Sequence, residues 1–170
     1  LMRIHEKLGN IIDKGKKVKI HTELGSNLSF SIEGRKAFGR DSGLFTRKGA
    51  FGNLPTGEIF VAPVEGTAIG IFVVDASFAS VGKLEKPMRI NVQNGYAVNI
   101  EGDKSKVLDG LLDSVGKEAR NIAEFGIGTN KKAQITGNIL EDEKVVGTCH
   151  IALGNNAVFG GKVNVQLHLD

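Results

Sequence analysis

Apolar residues along the chain fall into short runs, most of them with a period of two. Leu28, Phe30 and Ile32 alternate with Ser29, Ser31 and Glu33, which predicts a strand buried on one face. Residues 18–23, 58–63 and 68–74 predict further strands, the last two joined by a turn at Val64-Glu65-Gly66. Residues 69–74 are apolar on both faces, as expected of a central strand. Residues 89–93 and 96–100 flank Asn94-Gly95, the strongest short signal for a two-residue hairpin. Strands resume at residues 145–153 and 162–170.

Helical spacing is rarer. Ile4, Leu8, Ile11 and Ile12 predict an N-terminal helix stopped at Gly15. Val107, Leu108, Leu111, Leu112 and Val115 predict a second, capped by Asp103 and ended by Gly116. A helical turn at residues 118–123 leads into Glu124-Phe125-Gly126-Ile127-Gly128, and residues 41–54 form an irregular, glycine-rich loop. Strands dominate and helices lie between them, so the expected class is α+β, a largely antiparallel curved β-sheet with two or three helices.

Composition narrows the function. The 170 residues suit one domain, and 23 glycines beside 3 prolines fit many tight turns. Net charge is +3 and aromatics are 6%. Basic residues are scattered apart from Lys14-Gly15-Lys16-Lys17 and Lys131-Lys132, whereas a nucleic-acid surface needs a concentrated basic stripe. No apolar run approaches the roughly 18 residues of a membrane span. The first residues lack signal-peptide anatomy, and the lone Cys149 cannot form an internal disulfide. The expectation is a cytoplasmic protein with neither nucleic acid nor membrane as partner.

Candidate chemistry gathers in four places. In the last strand an alternating pattern puts His168 and Asp170 on one polar face, about 7 Å apart along the strand, where both can reach one divalent ion. A solvated sheet edge would show the same pattern. His150 lies in an apolar strand between Gly147 and Gly154, and Cys149 faces the other way as a small buried hydrophobe. Glu58 opens a hydrophobic strand after a Pro-Thr-Gly turn, and Glu124 is the one charge in an apolar, glycine-rich stretch. Buried carboxylates are costly unless paired or bound to metal. Glu141-Asp142-Glu143-Lys144 is taken as a solvated turn, and His5, on the polar side of the first helix, and His21 receive no function.

These motifs resemble a known family. Gly52-Asn53-Leu54-Pro55-Thr56-Gly57-Glu58-Ile59-Phe60-Val61-Ala62-Pro63 is similar to the strand bearing the first metal-ligating glutamate of the aminopeptidase T family, and Ala123-Glu124-Phe125-Gly126-Ile127-Gly128 to that bearing the second. Residues 147–154 resemble its histidine strand, and His168-Leu169-Asp170 its closing His-x-Asp pair. The resemblance implies a pair of divalent ions (zinc, cobalt or manganese) held by Glu58, Glu124, His150, His168 and Asp170. It also implies a water activated between them, a peptide substrate losing its N-terminal residue, and a homodimer. Residues 1–170 would then be a single metal-binding, catalytic-type domain excised from a longer two-domain protein.

The sequence departs from the family in one respect. Family peptidases carry a tyrosine shortly after the histidine strand; here that stretch is Asn155-Asn156-Ala157-Val158-Phe159-Gly160-Gly161, and the only tyrosine, Tyr96, belongs to the hairpin. Two other readings stay open. Ring-opening dioxygenases of the same superfamily hold iron(II) with two histidines and an aspartate, a set that His150, His168 and Asp170 would supply. A non-catalytic binding or assembly module is the third.

Overall fold

The computed structural model describes residues 1–40 and 43–170, so Asp41 and Ser42 of the expected loop lie outside the described residues. In chain order come α1 (Met2–Lys14), β1 (Lys17–His21), β2 (Asn27–Ser31), β3 (Glu58–Val61), β4 (Ile69–Val74), β5 (Ser77–Phe78), β6 (Gly82–Lys83), β7 (Met88–Gln93) and β8 (Tyr96–Gly102). Then follow α2 (Ser105–Val115), β9 (Ile122–Gly128), α3 (Ile139–Asp142), β10 (Cys149–Gly154) and β11 (His168–Leu169). The class is α+β, with every strand pairing antiparallel. The strands divide between a five-stranded sheet ordered β1-β2-β4-β7-β8, a four-stranded sheet ordered β11-β10-β9-β3, and the small β5-β6 pair.

The alternation in β2 places Leu28 and Phe30 in the core, and β4 is the middle strand of its sheet. Asn94 and Gly95 both take positive φ, as a type I′ turn requires. The sheets pack face to face: Leu28, Phe30, Met88, Ile90 and Val92 of one meet Ile59, Val61, Phe125 and Ile151 of the other. Phe30 and Phe125 bridge the layers with ring centroids 5.5 Å apart.

Four local expectations are corrected. In α1 the buried positions are His5, Gly9 and Ile12, while Ile4 and Ile11 are exposed. His5 therefore does not lie on a polar face; its Nε2 meets Thr129 Oγ1 at 2.7 Å and ties the helix to the end of β9. Asp103 does not cap α2. Its carboxylate accepts from the backbone N–H groups of Glu85 and Lys86, and Lys104, at φ 57°, is the N-cap. Residues 145–148 form a turn rather than the start of β10. Of the expected final strand only His168–Leu169 is paired, because residues 155–163 loop back on themselves through Asn156. No helix among the described residues is long and apolar enough to cross a membrane.

Candidate metal centre

Strand pairing decides which side chains share the outer face of the four-stranded sheet. Directly paired residues of an antiparallel ladder point to the same side. Glu58 pairs with Gly128, Phe60 and His150 with Gly126, and Ala152 with Glu124. Positions 124, 126 and 128 of β9 thus read Glu-Gly-Gly on one face, while Phe125 and Ile127 face the other sheet. Gly126 is required by close approach: a Cβ there would lie 2.1 Å from the His150 ring. The imidazole lies over β9 because that strand has no side chain beneath it.

Around this bare strip the acidic and imidazole groups converge. His150 Nε2 is 3.3 Å from Glu58 Oε2 and 3.3 Å from Glu124 Oε1. His168 Nε2 is 3.5 Å from Glu124 Oε2 and 3.6 Å from Asp170 Oδ1. All five residues singled out from the sequence come together. Among the described residues two groups satisfy the proximity expected of metal donors, Glu124–His168–Asp170 and Glu58–Glu143–His150, each with its donor atoms within 4.8 Å of one another.

Glu143 escaped the sequence reading, and the expected solvated turn is a correction. Asp142, Glu143 and Lys144 are buried, Lys144 to 2% exposure. α3 and the turn after it are drawn under by backbone bonds from Asn130 N–H to Lys144 C=O and from Val146 N–H to Asn130 C=O. Asp142 accepts from Ser77 Oγ and from the backbone at Thr136 and Gly137. The Lys144 ammonium donates to Glu58 Oε1 at 2.9 Å and to Glu143 Oε1. Four adjacent charged residues give no periodic signal of burial; only a tertiary fold that supplies partners makes it tolerable.

Electrostatics follow from this crowding. Burial and the neighbouring Glu58 and Asp170 carboxylates push Glu143 up to about 7, so it can take or give a proton near neutrality. Burial alone would lower His168, but its contacts with Asp170 and Glu124 outweigh it and push the imidazole up to about 10. Burial alone would raise Asp170; the facing histidines and Lys144 instead hold it below its ordinary value. Burial raises the Cys149 thiol, in keeping with an inert small hydrophobe.

The two histidines differ in support. His168 Nδ1 lies 2.7 Å from the Asn155 carbonyl, which can only accept. A neutral His168 therefore carries its proton on Nδ1 and turns the Nε2 lone pair toward the carboxylates, the arrangement of a metal-ligating histidine. Phe159 braces the same ring edge to face at 5.6 Å. It lies in the stretch where the family resemblance leads one to expect a tyrosine, and it has no hydroxyl. Tyr96 serves the hairpin region, its hydroxyl 3.4 Å from Glu118. His150 Nδ1 is buried without a hydrogen-bond partner. A cavity of about 260 Å³ lined by Phe72, Met88, Ile90 and Leu108 reaches the centre at Glu143, His150 and Asp170.

The sequence profile of the thermophilic metalloprotease (M29) family matches residues 3–164. The chain belongs to that family. No curated protein matches it. Solved structures that share the fold include the following two. 2,5-Dihydroxypyridine dioxygenase from Pseudomonas putida KT2440 has a TM-score of 0.85 at 20% identity, covering 96% of this chain and 51% of that one. Wild-type AmpT from Thermus thermophilus has a TM-score of 0.72 at 23% identity, covering 99% of this chain and 46% of that one. The M29 chain described here thus spans about half the length of either protein.

Proposed function

We propose that this M29 chain is the metal-binding part of a divalent-metal aminopeptidase-like hydrolase that removes N-terminal residues from peptides. The observation that supports this most is the convergence of Glu58, Glu124, His150, His168 and Asp170, joined by Glu143, on one glycine-lined face. The donor set fits a divalent ion. It mixes imidazole and carboxylate, which suits zinc, cobalt or manganese. It also contains Glu58 Oε2, a buried oxygen that faces His150 Nε2 at 3.3 Å but makes no hydrogen bond.

The set is large enough for two ions, one at each triad. Bound there, divalent ions would supply Lewis acidity for a scissile carbonyl and a water of lowered pKa. The chain's own residues do the positioning. Asn155 fixes the His168 tautomer, Gly126 seats His150, and Lys144 orients Glu58 and Glu143.

A second reading is an iron(II) dioxygenase using His150, His168 and Asp170, and it rests on the likeness in fold to the Pseudomonas enzyme. Glu58, Glu124 and Glu143 beside those residues favour hydrolysis, since three further carboxylates exceed what one iron needs. Elemental analysis of the purified chain, then assays of aminoacyl-anilide hydrolysis with zinc, cobalt or manganese and of dihydroxypyridine-dependent oxygen uptake with iron(II), separates the two. Hydrolysis is the expected result. Oxygen uptake without hydrolysis would replace the proposal with the second reading.

A further inference from the structure

We infer that Lys144 acts as a built-in cation that makes the two metal positions unequal, leaving one tight position at Glu124–His168–Asp170 and a weak one at Glu58–Glu143–His150. The inference rests on the metal reading above and concerns how that site is loaded. Its ground is that the Lys144 ammonium donates to two of the three residues that would hold the second ion, Glu58 and Glu143. The side chain is 2% exposed, so it has no open route by which to swing its charge into solvent. An ion in that triad would therefore share both carboxylates with a cation already bound to them. Charges of +2 and +1 about 4 Å apart cost roughly thirtyfold in affinity even with the full screening of water.

Histidine support points the same way. His168 has the backbone acceptor that fixes a ligating tautomer, whereas His150 Nδ1 has no hydrogen-bond partner. One position has an oriented histidine and no carboxylate bonded to Lys144. The other lacks both advantages.

Equilibrium dialysis against zinc, with the metal counted by elemental analysis, tests this directly. The wild-type chain should hold one tight equivalent and take a second at least about thirtyfold more weakly. Lys144→Met should bring the second equivalent close to the first, whereas Lys144→Arg, which keeps the charge, should not. Glu124→Gln should remove the tight equivalent and so locate it. Two equally tight equivalents in the wild type would overturn the inference while leaving the hydrolase reading intact. So would a Lys144→Met protein with no gain at the second position. No zinc bound by any form would overturn both. The wild-type stoichiometry decides the question even where Lys144→Met does not fold.

Discussion

In the five-stranded sheet the outward polar residues of the β7–β8 hairpin face water: Arg89 and Gln93 of β7 and Glu101 of β8 are exposed, between buried Met88, Ile90, Val92 and Ile100. In the four-stranded sheet the corresponding outward positions carry Glu58, Glu124 and His150, with Glu143 and Lys144 of the turn after α3 brought against them. The first arrangement is what burial of apolar area alone would produce. The second places carboxylates where they repel each other and lose water, a cost that only cations offset. Both sheets share the core, and the four-stranded one also carries the candidate metal centre. Glycine marks the same division. Gly70 lets β2 approach β4, where a Cβ would meet the Asn27 carbonyl at 2.0 Å, whereas Gly126 makes room for a functional ring.

This contrast can be broken by substitution. Leu28→Ala, at a position with no exposure, should cost about 2–5 kcal/mol in urea unfolding. It should leave zinc affinity in the folded protein unchanged; a parallel loss of affinity would show that the two sheets are not separable. His168→Ala should do the reverse. Zinc affinity in dialysis should fall by more than about a hundredfold, beyond the range seen for supporting residues, while the metal-free protein keeps its folded circular-dichroism spectrum. Unchanged affinity would remove His168 from the site.

Gly126→Ala is a smaller change with a sharper meaning. Its backbone is not in the left-handed region, so the sole penalty is the clash with His150. About tenfold weaker zinc binding is expected, with the five-stranded sheet intact by circular dichroism.

The smallest effect concerns the polar tie between the sheets. Glu65, before β4, accepts from Arg35, Asn156 and the Lys162 N–H, and so holds the loop that leads to β11. Burial alone would raise its pKa, but these hydrogen bonds and Arg35 outweigh it and hold the carboxyl below its ordinary value. A lowered folded-state pKa means stability that is present above the unfolded value and lost as the pH falls through the folded one. Glu65→Gln should therefore cost about 1 kcal/mol near pH 7. The gap to the wild type should close as urea melts are carried into the acid range. A constant gap would assign the loss to packing instead.

Much of the fold was legible because period-two patterns report directly on strands with one buried face. β2, the β7–β8 hairpin and the middle place of β4 are written in Leu28-x-Phe30, Asn94-Gly95 and the run 69–74. The helices were legible in extent more than in facing. The apolar residues of α1 gave its buried stripe only in part: Leu8 and Ile12 pack on the core, Ile4 and Ile11 are exposed, and His5 and Gly9 are buried by what lies against them, Thr129 and Arg40.

For the candidate site, the sequence singled out five residues, as polar groups in unusual settings that together carry a family resemblance. It could not determine that they meet, which depends on β3, β9, β10 and β11 lying side by side from separations of up to 111 residues along the chain. Nor could it determine the sixth and seventh members. Glu143 and Lys144 stand in a run of charges that ordinary hydration would keep outside. Only the tertiary bonds to Asn130 and the facing carboxylates turn them inward, because a charge is buried where partners await it and local sequence does not record the partners.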